Sequence, residues 1–391
     1  MNRLLLVRRK FNRRKNFNPF SKIKIRNFIG KPDLVLLGTI FVILIFGLVM
    51  LTSASSIKSY REFNSTYYLF FHQIIFGLLP GTILFFWLSR VSYHLWEKYS
   101  VLFFILSLII LGLVFIPGLS LEIGETKSWL KIFGASVQPS EIIKLFLILS
   151  LAGWFSYRGR EKNQDFWNGL IPFVFILGLI SLPIALQPDL GTLVVVAVIA
   201  LSIYFVAGAK ISHLLGLAAV GLGLFGILIF QTPYRAERLM TFLNPELDPQ
   251  GIGYQINQAL LAVGSGGFFG LGFGQSRQKF AYLPEVIGDS IFAIIAEELG
   301  FIISLSLIFL LVFFAYRGLK LARGINDEYG KLIVTGIIAW FIFQSFFNIA
   351  VMIGLMPLTG IPLPFVSYGG TALATLLAAT GILANISRQA S

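Results

Sequence analysis

Two groups of charged side chains stand in or beside long apolar runs, where an unpaired charge costs about 2.5–3.5 kcal/mol or more. Glu141 and Lys144 are three residues apart, so on a helix they share a face and neutralise each other. Such a pair either locks two helices together or lines a polar cavity opening outward, with Lys144 offered to an anionic head group. The second group, Lys279, Glu285, Asp289, Glu297 and Glu298, runs from a polar segment into an apolar one. Asp289 follows Gly288 at the border, where the start of a helix stabilises a carboxylate. It is a candidate general base if burial moves its pKa towards working pH, and a plain helix cap otherwise. Glu297 and Glu298 lie about two turns deeper, and because adjacent residues cannot share a helix face at least one of them is expected to pack rather than react. Two Gln-Pro steps precede acids, in Gln138-Pro139-Ser140-Glu141 and Gln187-Pro188-Asp189, and Asp189 reads as a helix cap. The glycines at 264, 266, 267, 270, 272 and 274 lack the Gly-Lys-Ser/Thr ending of a nucleotide loop. They either turn backbone N–H groups towards a diphosphate near Arg235, Arg238, Arg277 and Lys279 or form a flexible loop on the membrane surface. With no cysteine, thiol chemistry and disulfides are excluded. His72, His94 and His213 are scattered singly, which argues against an imidazole metal site.

The elements that must position these groups are membrane helices. Of 391 residues 56% are hydrophobic and 13% charged, against about a quarter charged in soluble domains, and the mean hydropathy is +0.82. Apolar runs near residues 34–51, 67–88, 101–116, 137–155, 169–186, 190–207, 212–230, 291–316, 332–355 and 366–386 are each about long enough to cross a bilayer. The expected fold is therefore all-α and polytopic, with about ten transmembrane helices. Residues 1–31 hold 11 of the 31 Lys+Arg and read as a basic cytoplasmic tail against anionic lipid. Over the ten-span pattern the side of the termini carries 22 Lys+Arg and the opposite side 8, with Lys144 inside a span. Both termini are thus expected in the cytoplasm, and residues 32–391 form one transmembrane domain. The other basic residues are spread over short loops, so the net charge of +13 does not read as a nucleic-acid surface. The segment 231–289, between helices 7 and 8, is extracytoplasmic in this pattern; a connection of that length usually carries function. A short helix is expected within it near 255–263.

Several strings resemble one family, the SEDS proteins FtsW and RodA. They are Gln138-Pro-Ser-Glu-Ile-Ile-Lys144, Gln187-Pro-Asp-Leu-Gly-Thr192, RLMTFLNPELD from Arg238 to Asp248, Gly253-Tyr-Gln-Ile-Asn-Gln-Ala-Leu260, Gly264-Ser-Gly-Gly267, Gln278-Lys-Phe-Ala-Tyr-Leu-Pro-Glu285, Ala296-Glu-Glu-Leu-Gly300 and Thr359-Gly-Ile-Pro-Leu-Pro-Phe-Val-Ser-Tyr-Gly-Gly370. The resemblance runs to Asn385-Ile-Ser-Arg388, and the form around Leu283-Pro284-Glu285 is more like FtsW, the division member, than RodA. It implies a peptidoglycan glycosyltransferase of the bacterial cytoplasmic membrane, polymerising lipid II into glycan strands on the outer face during cell division. The alternatives are a lipid II flippase or transporter, a RodA-like elongation polymerase, and a scaffold for other division proteins. The family's catalytic carboxylate matches Asp289, although its His-Thr-Asp step reads Ile287-Gly288-Asp289 here, and Lys127 stands where the family commonly has Arg. On this reading Asp289 is the base, Lys144, Arg238 and Lys279 hold diphosphate charge, and Glu141 positions Lys144. No cofactor or metal ligand set is assigned, and a divalent cation is compatible with the reaction. Expected partners are lipid II and the lipid-linked nascent glycan, a class B penicillin-binding protein acting as transpeptidase, other division proteins and the membrane itself.

Overall fold

The structure is a computed structural model that describes residues 30–123, 126–132, 135–231, 233–244 and 251–390. The basic tail up to residue 29, the turn-rich stretch 245–250, and the side chains of Lys127 and Arg235 lie outside the described residues.

Among the described residues ten apolar helices carry the fold: α1 (Leu34–Phe63), α2 (Tyr68–Arg90), α3 (Ser100–Leu113), α4 (Pro139–Arg158), α5 (Phe166–Leu186), α6 (Leu190–Val206), α7 (Ile211–Phe230), α10 (Ile291–Gly324), α11 (Glu328–Met352) and α12 (Gly370–Ala390). Their borders follow local chemistry. Asp33 caps α1 by accepting the N–H groups of Val35 and Leu36, Asp189 caps α6 through Thr192, and Asp327 caps α11 through Gly330. Pro139 opens α4, where its missing N–H costs nothing, and Gly159 at φ +77° closes it.

Two helices, α8 (Pro233–Leu243) and α9 (Ile252–Ser265), lie in the long 231–289 segment. The second extends the helix expected at 255–263, whereas α8 was not foreseen, because its apolar stripe is cut by Arg235, Glu237 and Arg238. A second departure from a purely helical chain is the small antiparallel sheet between α3 and α4, β1 (Ser120–Ile123), β2 (Thr126–Ile132) and β3 (Ala135–Val137), in the order β1-β2-β3. Leu121 pairs with Trp129, and Leu130 with Val137. Ser128 and Leu130 are buried and Lys131 exposed, the two-residue alternation of a strand, in a stretch too short to stand out beside the long runs.

The core is built where α10 packs on α11, α11 on α6 and α4, α12 on α2, and α1 on α10. In contrast α7 buries only Ile229 and lies at the margin. The last span begins at Gly370, not at Val366 as the apolar run suggests, because Ser367–Gly369 are turned aside to serve the site described next.

Candidate active site

Asp289 sits just before α10 and is 8% exposed. The three carbonyls from Ile287 to Asp289 are each held from another part of the chain. Ile287 O accepts from the N–H of Tyr368 (2.8 Å), Gly288 O from Ser367 Oγ (2.6 Å) and Asp289 O from Asn348 Nδ2 (2.7 Å). The Ser367–Gly369 turn is itself fixed at the start of α2, where Gln73 Oε1 accepts the N–H of Gly369 (3.0 Å) and His72 Nδ1 meets the Tyr368 hydroxyl (2.8 Å). Backbone clamps therefore hold the stretch Ile287–Asp289, in which Ile287 and Gly288 offer no hydrogen-bonding side chain.

The carboxylate is lightly solvated by protein. Ser290 Oγ lies 3.5 Å from Oδ1 and is in turn reached by Gln255 Nε2 at 3.2 Å. Burial pushes the Asp289 pKa up to about 7 and the nearby Glu285 carboxylate adds to the rise; its own backbone N–H, the Arg238 guanidinium and the Ser290 hydroxyl pull the other way. The helix-cap role has no support in the geometry, since Ser290 occupies the cap position of α10 and no side chain caps that end. What remains is a carboxyl group poised between its two protonation states near neutral pH, as a general base requires.

Asn348 belongs to a polar ridge on α11 made by Trp340, Gln344 and Asn348, four residues apart and so on one face. Gln344 Oε1 accepts from Trp340 Nε1 (2.7 Å) and Lys144 Nζ (2.8 Å), Gln344 Nε2 donates to Pro362 O (2.9 Å), and Asn348 Nδ2 also donates to Ile361 O (2.8 Å). Lys144 Nζ completes its shell with Glu141 Oε1 at 2.8 Å and lies 4.9 Å from the centre of the Trp340 ring. Both members of the pair are 1% exposed. The ridge thus joins the Glu141–Lys144 pair of α4 to the Asp289 backbone.

Lys279 stands in a separate cluster. Its Nζ donates to Glu298 Oε1 (2.9 Å), Ser53 Oγ (3.0 Å) and Gly274 O (2.7 Å), while Glu298 also accepts from Ser53 Oγ and the N–H groups of Gly274 and Ser276. Glu297 accepts from Ser276 Oγ and from the N–H groups of Arg277 and Gln278. Both glutamates therefore anchor the glycine-rich loop, facing different ways as adjacent helical residues must.

The loop in turn fills a break in α10 at Gly300, where φ is +75° and ψ −174°. The N–H groups of Leu271 and Gly272 donate to Glu297 O and Glu298 O (both 2.9 Å), and those of Phe301 and Ile302 donate to Gly267 O and Phe268 O (2.9 and 3.2 Å). Main-chain groups freed by the break are so satisfied within the protein, as a membrane interior demands. A Cβ on Gly270, at φ +80°, would lie 2.2 Å from Glu298 O, and one on Gly300 2.2 Å from Gly270 N. Three N–H groups offered as candidates for a diphosphate are taken within the protein: Gly270 N donates to Gly266 O, and Gly272 and Gly274 donate to Glu298.

Of the five candidate residues, the structure relates Asp289, Arg238, Glu141 and Lys144 to one another and sets Lys279 in the loop cluster. Arg238 on α8 feels the Asp289 charge and donates to Leu358 O at 3.4 Å. Lys144 and Lys279 have their charge committed to buried carboxylates. Among the described residues no group of three His, Asp or Glu comes together as a metal site. Sequence reading passed over Ser53, Gln344, Asn348 and Ser367; the one available signal was Gln344 and Asn348, two amides four residues apart in an apolar run.

Ten apolar helices among the described residues, with a clamped and buried carboxyl at the start of α10, define a polytopic membrane protein. The chain belongs to the FtsW/RodA/SpoVE family of cell cycle proteins, whose pattern it matches over residues 33–391. It is 42% identical over 358 residues to the stage V sporulation protein E of Bacillus subtilis, covering 91% of this chain and 97% of the relative. A probable peptidoglycan glycosyltransferase FtsW of Trichlorobacter lovleyi is 37% identical over 363 residues, covering 92% and 94%. The rod shape determining protein RodA of Thermus thermophilus superposes with a TM-score of 0.67 at 27% identity, covering 91% and 97%. A chain solved for the structural coordination of polymerization and crosslinking by a peptidoglycan synthase complex superposes at 0.74 with 26% identity, covering 92% and 98%.

Proposed function

We propose that the protein is a peptidoglycan glycosyltransferase that joins the disaccharide units of lipid II into glycan strands at the outer face of the cytoplasmic membrane. The observation that carries the reading is Asp289, buried, clamped and with its pKa near 7. Relatives named as peptidoglycan glycosyltransferases support the substrate class. A sugar hydroxyl attacks the anomeric carbon of the lipid-linked partner, Asp289 takes the hydroxyl proton, and the bond to the lipid diphosphate breaks with inversion. The leaving diphosphate needs little protonation, so one carboxylate suffices where glycosidases use two. Arg238 is the cation placed to meet the diphosphate charge, and Lys144 and Lys279 hold the walls through Glu141 and Glu298. The Asp289 and Glu285 carboxylates are the pair that would hold a divalent cation if the reaction uses one. The FtsW likeness favours a division role over elongation, in partnership with a class B penicillin-binding protein.

Polymerisation of purified lipid II by the detergent-solubilised protein, with and without that partner, tests the activity. With Asp289 as base, the deprotonated form is active, so kcat/KM should rise with pH through about 7 and then level. A profile flat between pH 5.5 and 8.5 would remove the acid from the mechanism. The charge asymmetry further supports both termini in the cytoplasm and the 231–289 segment outside. A reporter fused at Asn244 should be active only as an extracytoplasmic enzyme; a cytoplasmic signal there reverses the topology.

A further inference from the structure

At the end of the bundle opposite Asp289, the start of α1 and the ends of α10 and α12 enclose an open cleft of about 300 Å³. Among the described residues its wall carries Lys31, Arg317 and Lys320 against a single carboxylate, Asp33. That carboxylate is already used. It caps α1 and accepts Arg317 Nε at 2.9 and 3.2 Å, while the Asp33 N–H is taken by Ser387 Oγ at 3.0 Å. Arg317 is held in place by this bond, and its terminal nitrogens make no hydrogen bond among the described residues. Lys31 and Lys320 are exposed and make neither a hydrogen bond nor an ion pair among them. Three cations converge on a concave site with one neutralising group, a charge balance that suits a phosphodiester monoanion.

A second observation gives the phosphate its carrier. Counting back from Lys320 along α10, Tyr316, Phe313 and Phe309 recur at four, seven and eleven residues, which is one helical stripe. They are 62%, 42% and 65% exposed. An apolar track thus rises from the cation directly into the membrane depth. A free phosphate would make no use of it, whereas an acyl chain lies along it. We infer that this cleft is a binding site for an anionic phospholipid, whose phosphodiester sits among Lys31, Arg317 and Lys320 while an acyl chain follows Tyr316, Phe313 and Phe309.

The test is native mass spectrometry of the delipidated full-length protein, titrated with phosphatidylglycerol or with phosphatidylcholine of the same chains. Wild-type protein should retain phosphatidylglycerol in preference. Each Lys or Arg near an anionic headgroup is worth about a fivefold change in affinity, so Lys31→Ala/Lys320→Ala should bind it about thirtyfold more weakly. Neither lysine makes a described contact that folding needs, and unchanged helical circular dichroism checks this; Arg317 is left intact because it holds Asp33. Equal binding of the two lipids, or unchanged affinity in the double variant, overturns the site. Displacement of phosphatidylglycerol by inorganic phosphate at equal concentration would also overturn it, showing a bare anion site with no role for the apolar stripe.

Discussion

Replacing Asp289 by Asn should lower lipid II polymerisation by about 10² to 10⁴ with the protein still folded. The substitution keeps the size of the side chain and leaves the clamps untouched, because Tyr368, Ser367 and Asn348 hold backbone carbonyls and not the carboxylate. It also removes a buried group that resists ionisation, so thermal stability should hold or rise. The loss should fall on kcat more than on KM, since a base acts in the transition state. Polymerisation within a few-fold of wild type by well-folded Asp289→Asn protein would exclude the acid and make Glu285, exposed beside it, the next carboxylate to examine.

The second large effect concerns the pair on α4. Lys144→Met leaves Glu141 buried without its cation, and Glu141→Leu leaves Lys144 with only Gln344 and Trp340, so each single change should destabilise by about 3–5 kcal/mol. The double variant Glu141→Leu/Lys144→Met should recover most of that loss, because an apolar pair of similar volume has no charge to desolvate and Gln344 Oε1 keeps its bond from Trp340. Denaturation midpoints of the three variants in detergent measure this. Single variants within 1 kcal/mol of wild type, or a double variant no better than the singles, would show that the two buried charges of α4 do not depend on each other for the fold.

The spans were legible because bilayer thickness imposes a minimum apolar length, and Asp289 because a carboxylate at the border of such a run is costly to place. The Glu141–Lys144 pair was legible as a local spacing, but its partner was not: Gln344 lies 200 residues further along the chain. The same holds for Ser53, bonded to Glu298 across 245 residues, and for Ser367, which reaches back to Gly288. Serines and amides in apolar runs bond locally or across helices with equal ease, so type and spacing alone do not reveal which partner wins. The glycine cluster left two readings open for a related reason. The break at Gly300 leaves the carbonyls of Glu297 and Glu298 to take the N–H groups of Leu271 and Gly272, a pairing that local spacing does not reveal.

That break also divides α10 into two unequal lengths. From Phe301 to Gly324 the second part of α10 runs roughly 36 Å at 1.5 Å per residue, enough by itself to cross a hydrocarbon layer of about 30 Å. The first part, Ile291–Leu299, adds about 13 Å, is packed in the core of the bundle and is braced by the loop that fills the break. On the proposed function, Asp289 at the head of this segment meets the sugars of a membrane-anchored substrate while the greasy tail of that substrate stays in the lipid, and a growing strand is handed along the surface in two dimensions.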